Sequence, residues 1–220
     1  MTSLTGPSRP AASGTADSLV VFLHGYGADG NDLIGLADPL APYLPGTRFL
    51  APNAPQSCVN NPMGFQWFPI PWLDGTPEVA ARTQAKAAFA LLDGWLDDQA
   101  VETPPERTVL VGFSQGTMMA LHVGLRRSAR FAGIVGFSGR LLEPELLPAE
   151  IASRPSVMLV HGDQDPMVPF ASLGEAEKVL VAAGVPTLTH VSSGVGHGIA
   201  PDGLGVALGF VRQCLGIKAL

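Results

Sequence analysis

The pentapeptide Gly112-Phe113-Ser114-Gln115-Gly116 follows the apolar run Val109-Leu110-Val111 and precedes a helix-like stretch over residues 117–123. A G-x-S-x-G pattern in that context requires a strand, a sharp turn and a helix in immediate succession. Glycines on either side of the serine tolerate strained backbone and let strand and helix pass close together. The turn pushes the serine hydroxyl out at the strand's carboxyl end. The helix amino terminus behind it favours developing negative charge. An ordinary glycine-rich turn can have the same five residues, so the rest of the chain must supply partners before the serine reads as a nucleophile.

Short apolar runs at residues 19–23, 109–111, 132–135 and 157–160 read as buried strands, with weaker ones at 48–50 and 188–191. Helix-like segments separate them. The spacing predicts a helix over 78–99, with Thr76 as N-cap and Pro77 at the first helical position. Its apolar face would carry Val79, Ala87, Leu91 and Trp95, with Leu92 and Leu96 beside them. A last helix is expected over 203–214, facing inward through Leu204, Ala207, Leu208 and Val211. Continuous apolar strands alternating with helices argue for an α/β protein whose mostly parallel sheet is covered on both faces.

Composition narrows the function classes. Of 220 residues, 46% are hydrophobic and 15% charged, which suits a buried sheet and not a disordered chain. The net charge of −6, with no basic run, argues against a nucleic-acid partner. No apolar stretch is long enough to cross a membrane, so stable membrane insertion is not expected. Residues 1–18 are rich in Ser, Thr, Pro, Ala and Gly and read as a flexible tail. They lack the basic start and apolar block of a secretory signal. Cys58 and Cys214 have no metal-ligand spacing and read as isolated thiols. A cytoplasmic location is the resulting expectation.

A serine hydroxyl becomes a useful nucleophile when a base takes its proton and an acid orients that base. His161-Gly162-Asp163-Gln164-Asp165-Pro166 follows a strand and offers two candidate acids. Asp165 is favoured because Pro166 biases it to extended backbone deeper in the loop. Asp163 reads as a turn residue. Gly196-His197-Gly198 follows the last strand and holds a histidine with no helix or strand face to fill, so His197 is the candidate base. His24 and His161 each end a strand before a glycine and read as supporting their loops by hydrogen bonds, while His122, within a helix, and His190, within a strand, read as structural.

The backbone amide of Gln115 and one from the glycine-rich loop Gly25-Tyr26-Gly27 would stabilise an oxyanion. Tyr26 is chosen there, with Gly25 as competitor. Ser138, in Gly136-Phe137-Ser138-Gly139-Arg140, lacks the closing glycine and reads as lining the site. The stretch 52–76 carries Phe65, Trp67, Phe68 and Trp72 among prolines and glycines and reads as a wall of the site.

Together, Leu23-His24-Gly25-Tyr26-Gly27-Ala28-Asp29, Gly112-Phe113-Ser114-Gln115-Gly116, the run from His161 to Pro169 and Gly196-His197-Gly198 resemble the phospholipase/carboxylesterase family. This is a family of small α/β-hydrolases that includes the acyl-protein thioesterases. The resemblance covers about 19–215 and implies a single α/β-hydrolase domain over 19–220 without a large lid domain. It implies the triad Ser114, Asp165 and His197, with oxyanion donors at Tyr26 and Gln115. It also implies that Gln66-Trp67-Phe68 faces the substrate. Phe65, Trp67, Phe68, Met118 and Met119 are the expected substrate-binding residues. Many members carry leucine where Tyr26 stands and a second glycine where Thr117 stands.

The expected activity is cleavage of small carboxylic esters of short to medium acyl chain through an acyl-enzyme, with no metal and no organic cofactor. Acylated proteins and lysophospholipids are alternative substrates. An amidase, and a ligand-binding module without turnover, are further alternatives. Activity should rise with pH as the histidine base loses its proton. Members of the family often form dimers, so a homodimer is expected on the resemblance alone.

Overall fold

In a computed structural model, which describes residues 4–218, the apolar runs form a seven-stranded sheet. In chain order the strands are β1 (Ser8–Arg9), β2 (Ser18–Leu23), β3 (Thr47–Leu50), β4 (Gln56–Ser57), β5 (Phe65–Gln66), β6 (Thr108–Phe113), β7 (Gly133–Phe137), β8 (Ser156–Gly162) and β9 (Thr187–Ser192). The helices are α1 (Gly30–Ile34), α2 (Ala37–Leu40), α3 (Pro71–Asp74), α4 (Glu78–Ala100), α5 (Gln115–Arg126), α6 (Leu147–Glu150), α7 (Ala171–Ala182) and α8 (Pro201–Cys214). The large sheet runs β1-β3-β2-β6-β7-β8-β9, and every pairing from β3 to β9 is parallel. β4 and β5 form a separate antiparallel pair.

Strand residues alternate between two apolar layers, as the two-residue period of a strand requires. Leu19, Val21, Leu23, Leu110, Ile134 and Leu159 face one layer, which α4, α5 and α7 close with Leu92, Leu121 and Leu173. Val20, Phe22, Val109, Val111, Val135 and Val160 face the other, closed by α1, α2 and α8 with Leu33, Leu40 and Phe210. Both faces are therefore dry, which is why the central strands lack polar alternation.

Three local expectations differ from the structure. Helix α4 spans nearly the expected range, but its buried residues are Ala81, Ala88, Leu92, Trp95 and Leu96. Val79 is 79% exposed, on the side of α4 away from buried Ala81 and Ala88. Pro77 takes the N-cap place, and the Thr76 amide donates to Asp74 Oδ1 instead. Helix α8 buries Gly203, Ala207, Phe210 and Val211, leaving Leu204 and Leu208 only partly covered.

The stretch expected to be a loose tail is held against the sheet. β1 pairs antiparallel with β3, Ser8 opposite Leu50 and Arg9 opposite Phe49. The Ala51 amide donates to the Pro7 carbonyl and the Asn53 amide to the Thr5 carbonyl. Leu4 and Ala11 are buried. An unpaired strand edge supplies this order, and no local apolar pattern announces it. Residues 1–3 of the expected tail lie outside the described residues.

Candidate active site

Candidate groups emerge where β2, β6, β8 and β9 end, at the carboxyl edge of the sheet, as is usual for open parallel sheets. Ser114 sits between β6 and α5 at φ 54°, ψ −115°. Positive φ is costly for a serine, about 1–3 kcal/mol, and persists only where neighbours enforce it. The two glycines of the motif do so by allowing close approach. A Cβ on Gly116 would lie 1.8 Å from the Leu23 carbonyl oxygen, and one on Gly112 would lie 2.4 Å from Gly116. The Ser114 amide donates to the Phe137 carbonyl at 2.9 Å, fixing the turn to β7.

Asp165 has a fully buried side chain. Its Oδ1 accepts the amides of Met167 and Val168 at 2.8 and 2.9 Å. Its Oδ2 accepts from His197 Nδ1 at 2.7 Å. Burial alone would raise this carboxyl's pKa. The His197 bond and the two amides outweigh that and hold it below the usual carboxylate range. A carboxylate on Nδ1 assigns the proton to that nitrogen and leaves Nε2 as an acceptor. The imidazole packs 4.9 Å from the Phe113 ring. His197 and Ser114 line one cavity of about 410 Å³. Hydrogen bonds among the described residues include none from the Ser114 hydroxyl, and such contacts often tighten only with substrate in place.

Asp163, the competing acid, has another task. Its carboxylate accepts from the Gly194 amide at 2.7 Å and the Ser193 hydroxyl at 3.2 Å, tying the histidine loop to the acid loop.

The loop after β2 reaches the elbow because Gly25 has no side chain. A Cβ there would meet Phe113 at 3.2 Å and the Ser114 Cβ at 3.4 Å. Among the described residues neither the Tyr26 amide nor the Gln115 amide donates to a protein acceptor, and both residues line the Ser114 cavity. The Tyr26 hydroxyl reaches Asp74 Oδ2 at 3.4 Å, and burial, with Cys58 and Asp74 beside it, raises its pKa.

The amino-acid sequence matches the Phospholipase/Carboxylesterase family along residues 10–215. The chain belongs to that family. As a member it is an α/β-hydrolase of the esterase and thioesterase kind, with no large lid domain evident. It is similar to Acyl-protein thioesterase 1 of Gibberella zeae, 30% identical over 94% of each chain. It is 24% identical to Esterase YpfH of Escherichia coli, over 95% of this chain and 86% of that one. The crystal structure of esterase PE8 superposes with a TM-score of 0.92 at 47% identity, covering 97% of this chain and 100% of that chain.

The aromatic loop is placed differently from expectation. Trp67 is wholly buried; its indole N–H donates to the His24 carbonyl at 3.0 Å and its amide to Gln115 Oε1 at 2.9 Å. Gln115 Nε2 in turn donates to the Phe68 carbonyl at 2.7 Å. These bonds turn the Trp67 ring inward, while Trp72, Ile70 and Leu73 of the same stretch do wall the Ser114 cavity. Met119 lies in the core, Phe65 bridges to Ala28, and Phe68 lines a neighbouring groove. Of the five expected substrate contacts, Met118 alone lines the Ser114 cavity. Its other apolar walls include Leu33, Ile70, Leu73, Met167, Val168 and Ile199. Ser138 is buried at φ 45° and does not reach the cavity.

His24 bonds the Gly25 carbonyl through Nδ1 and accepts the Ala54 amide at Nε2, so it is neutral, and burial lowers its pKa. His190 bonds Asp202. Among the described residues no group of three or more His, Cys, Asp or Glu could hold a metal ion.

Proposed function

We propose that the protein is a carboxylesterase that cleaves soluble esters of short to medium acyl chain through an acyl-enzyme on Ser114. The observation that carries this reading is the 2.7 Å bond from His197 to buried Asp165, beside a serine in strained backbone on the same cavity. His197 Nε2 takes the hydroxyl proton as Ser114 Oγ bonds to the ester carbon. The carbonyl π pair moves onto oxygen, which the Tyr26 and Gln115 amides bind. The tetrahedral adduct collapses, the C–O bond to the alcohol breaks, and His197 returns the proton to the leaving oxygen. Water then repeats the sequence on the acyl-enzyme and releases the acid. Asp165 holds the imidazole in one tautomer and stabilises its charged form.

The cavity's volume and its mainly apolar lining support short to medium acyl groups. A thioester of an acylated protein is the second reading, favoured by the similarity to an acyl-protein thioesterase over nearly the full chain. Among the described residues no helix is long and apolar enough to cross a membrane. A cytoplasmic setting belongs to this proposal, supported by two unpaired thiols, Cys58 and Cys214. A homodimer belongs to it as well, and light scattering checks it.

The test is a series of 4-nitrophenyl esters of graded chain length beside a palmitoyl-thioester peptide. Turnover of the short esters should fall on the order of 10⁴-fold or more in Ser114→Ala. A fluorophosphonate should add one mass label to wild type and none to the variant. Absence of both label and turnover would overturn the reading in favour of a binding module.

A further inference from the structure

A second concavity, of about 240 Å³, lies on the far side of Ile70 and Trp72, residues that also line the Ser114 cavity. Its floor is apolar, formed by Phe68, Ala81, Ala85 and Phe89. Its rim is not. Arg82 and Lys86 project from α4, and Arg140 from the turn after β7. The ion pairs of the described residues engage Arg9, Arg48, Arg107, Arg126 and Arg127, and none involves Arg82, Lys86 or Arg140. The Arg140 guanidinium lies over the Trp72 ring, 5.4 Å from its centre. Glu78 and Glu143 also line the trench and leave its lining net positive, in a chain of net charge −6.

We propose that this trench is a recognition subsite for the anionic end of an ester substrate, whose acyl part bears a carboxylate a few methylenes from the reacting carbonyl. The proposal rests on the esterase reading above. With the carbonyl at Ser114, the chain passes the Ile70–Trp72 partition and lies along Phe68 and Phe89. Its carboxylate then meets Arg140, Lys86 and Arg82. A guanidinium held over an indole face is restrained for meeting a carboxylate, and a low-dielectric floor strengthens the pairing. Arg82 and Lys86 stand one turn apart on the same side of α4, as such a rim requires.

Two matched substrates test the subsite: 4-nitrophenyl hexanoate and the mono-4-nitrophenyl ester of adipic acid, which differ at the far end of an equal chain. In wild type the ratio of kcat/KM should favour the adipate ester. In Arg140→Gln combined with Lys86→Gln that ratio should fall about tenfold, the effect of losing one charge-assisted contact. An unchanged ratio overturns the proposal.

A second readout needs no turnover. Indole fluorescence of Ser114→Ala is titrated with 6-phenylhexanoate and with its amide, using Trp72→Phe to isolate the signal. The acid should bind about tenfold tighter than the amide, with the preference lost in the double variant. Equal binding overturns the subsite. Failure of wild type to hydrolyse either ester would defeat the esterase reading instead, and the titration would still decide the trench.

Discussion

His161 Nε2 stands 3.3 Å from the same Asp165 oxygen that accepts the bond from His197. It is also 3.1 Å from the Val168 carbonyl, an acceptor, so this nitrogen carries the proton. The buried N–H is bonded to the loop that presents Asp165 and lies close beside the carboxylate itself. Under the proposed mechanism, His161 acts through Asp165 as a positioning residue. His161→Phe should lower kcat on the order of tenfold to a hundredfold with little change in KM, since small misplacements at such sites are costly. His161→Gln, which keeps a donor, should recover part of the loss. Steady-state kinetics on one short ester checks this, and equal losses in both variants would count against it.

Gln115 ties the elbow to the aromatic loop through two buried side-chain bonds, to the Trp67 amide and the Phe68 carbonyl. Gln115→Ala leaves both groups unpaired and should cost about 2–5 kcal/mol of stability. Its own backbone amide remains, so the activity of the folded fraction should suffer less than the urea midpoint. Urea unfolding alongside active-site titration separates the two effects.

Two glycine-to-alanine changes should move stability in opposite directions. Gly94 lies within α4 with nothing within 4 Å of an added Cβ, so Gly94→Ala should stabilise by about 0.5–1 kcal/mol. Gly116→Ala drives its Cβ into the Leu23 carbonyl, a backbone atom that cannot swing aside, and should cost about 3 kcal/mol or more. Thermal and urea unfolding measure both.

His122 sets an acid limit. It stacks on Phe89 with ring centres 3.6 Å apart, and its buried Nδ1 has no partner. Burial, then the nearby Arg126 charge, pushes its pKa down to about 4, against partial opposition from Glu150. The unfolded chain therefore takes up this proton at higher pH than the folded one. The stability it contributes is complete above the ordinary histidine value of 6.5 and is lost as pH falls toward 4. His122→Phe keeps the stacking and removes the titration. The difference in urea midpoint between pH 7 and pH 4.5 should be smaller in the variant than in wild type.

The sheet was legible because its central strands are dry on both faces and therefore spell continuous apolar runs. The elbow was legible because only glycine survives at positions 112 and 116, where backbone approaches backbone. Asp165 could be preferred over Asp163 through Pro166, a local constraint. The aromatic stretch was legible as a wall only at its far end, where Trp72 lines the Ser114 cavity, because composition reports that rings are covered and not which side covers them. Trp67 and Phe68 turn away from Ser114 through bonds to His24 and Gln115, partners 43 to 48 positions distant. Helix α4 misled for a related reason, since an apolar face need not meet the core along its whole length. His161 was legible as a support for its loop, because it ends a strand before a glycine, and it bonds the Val168 carbonyl; its closeness to Asp165 was not, since that depends on how the loop folds back.

The strand at Ser8–Arg9 gives the sheet two unlike margins. Two residues of β3 are covered by it, while among the described residues β9 at the opposite end pairs only with β8. Chains that recruit one another by strand addition do so at free margins. A molecule with a single open rim can join one neighbour and stop there, whereas one with two can link end to end into fibres. Clipping the chain before Ala11 should bare the Phe49–Leu50 edge and raise edge-to-edge association, which light scattering on the clipped protein measures.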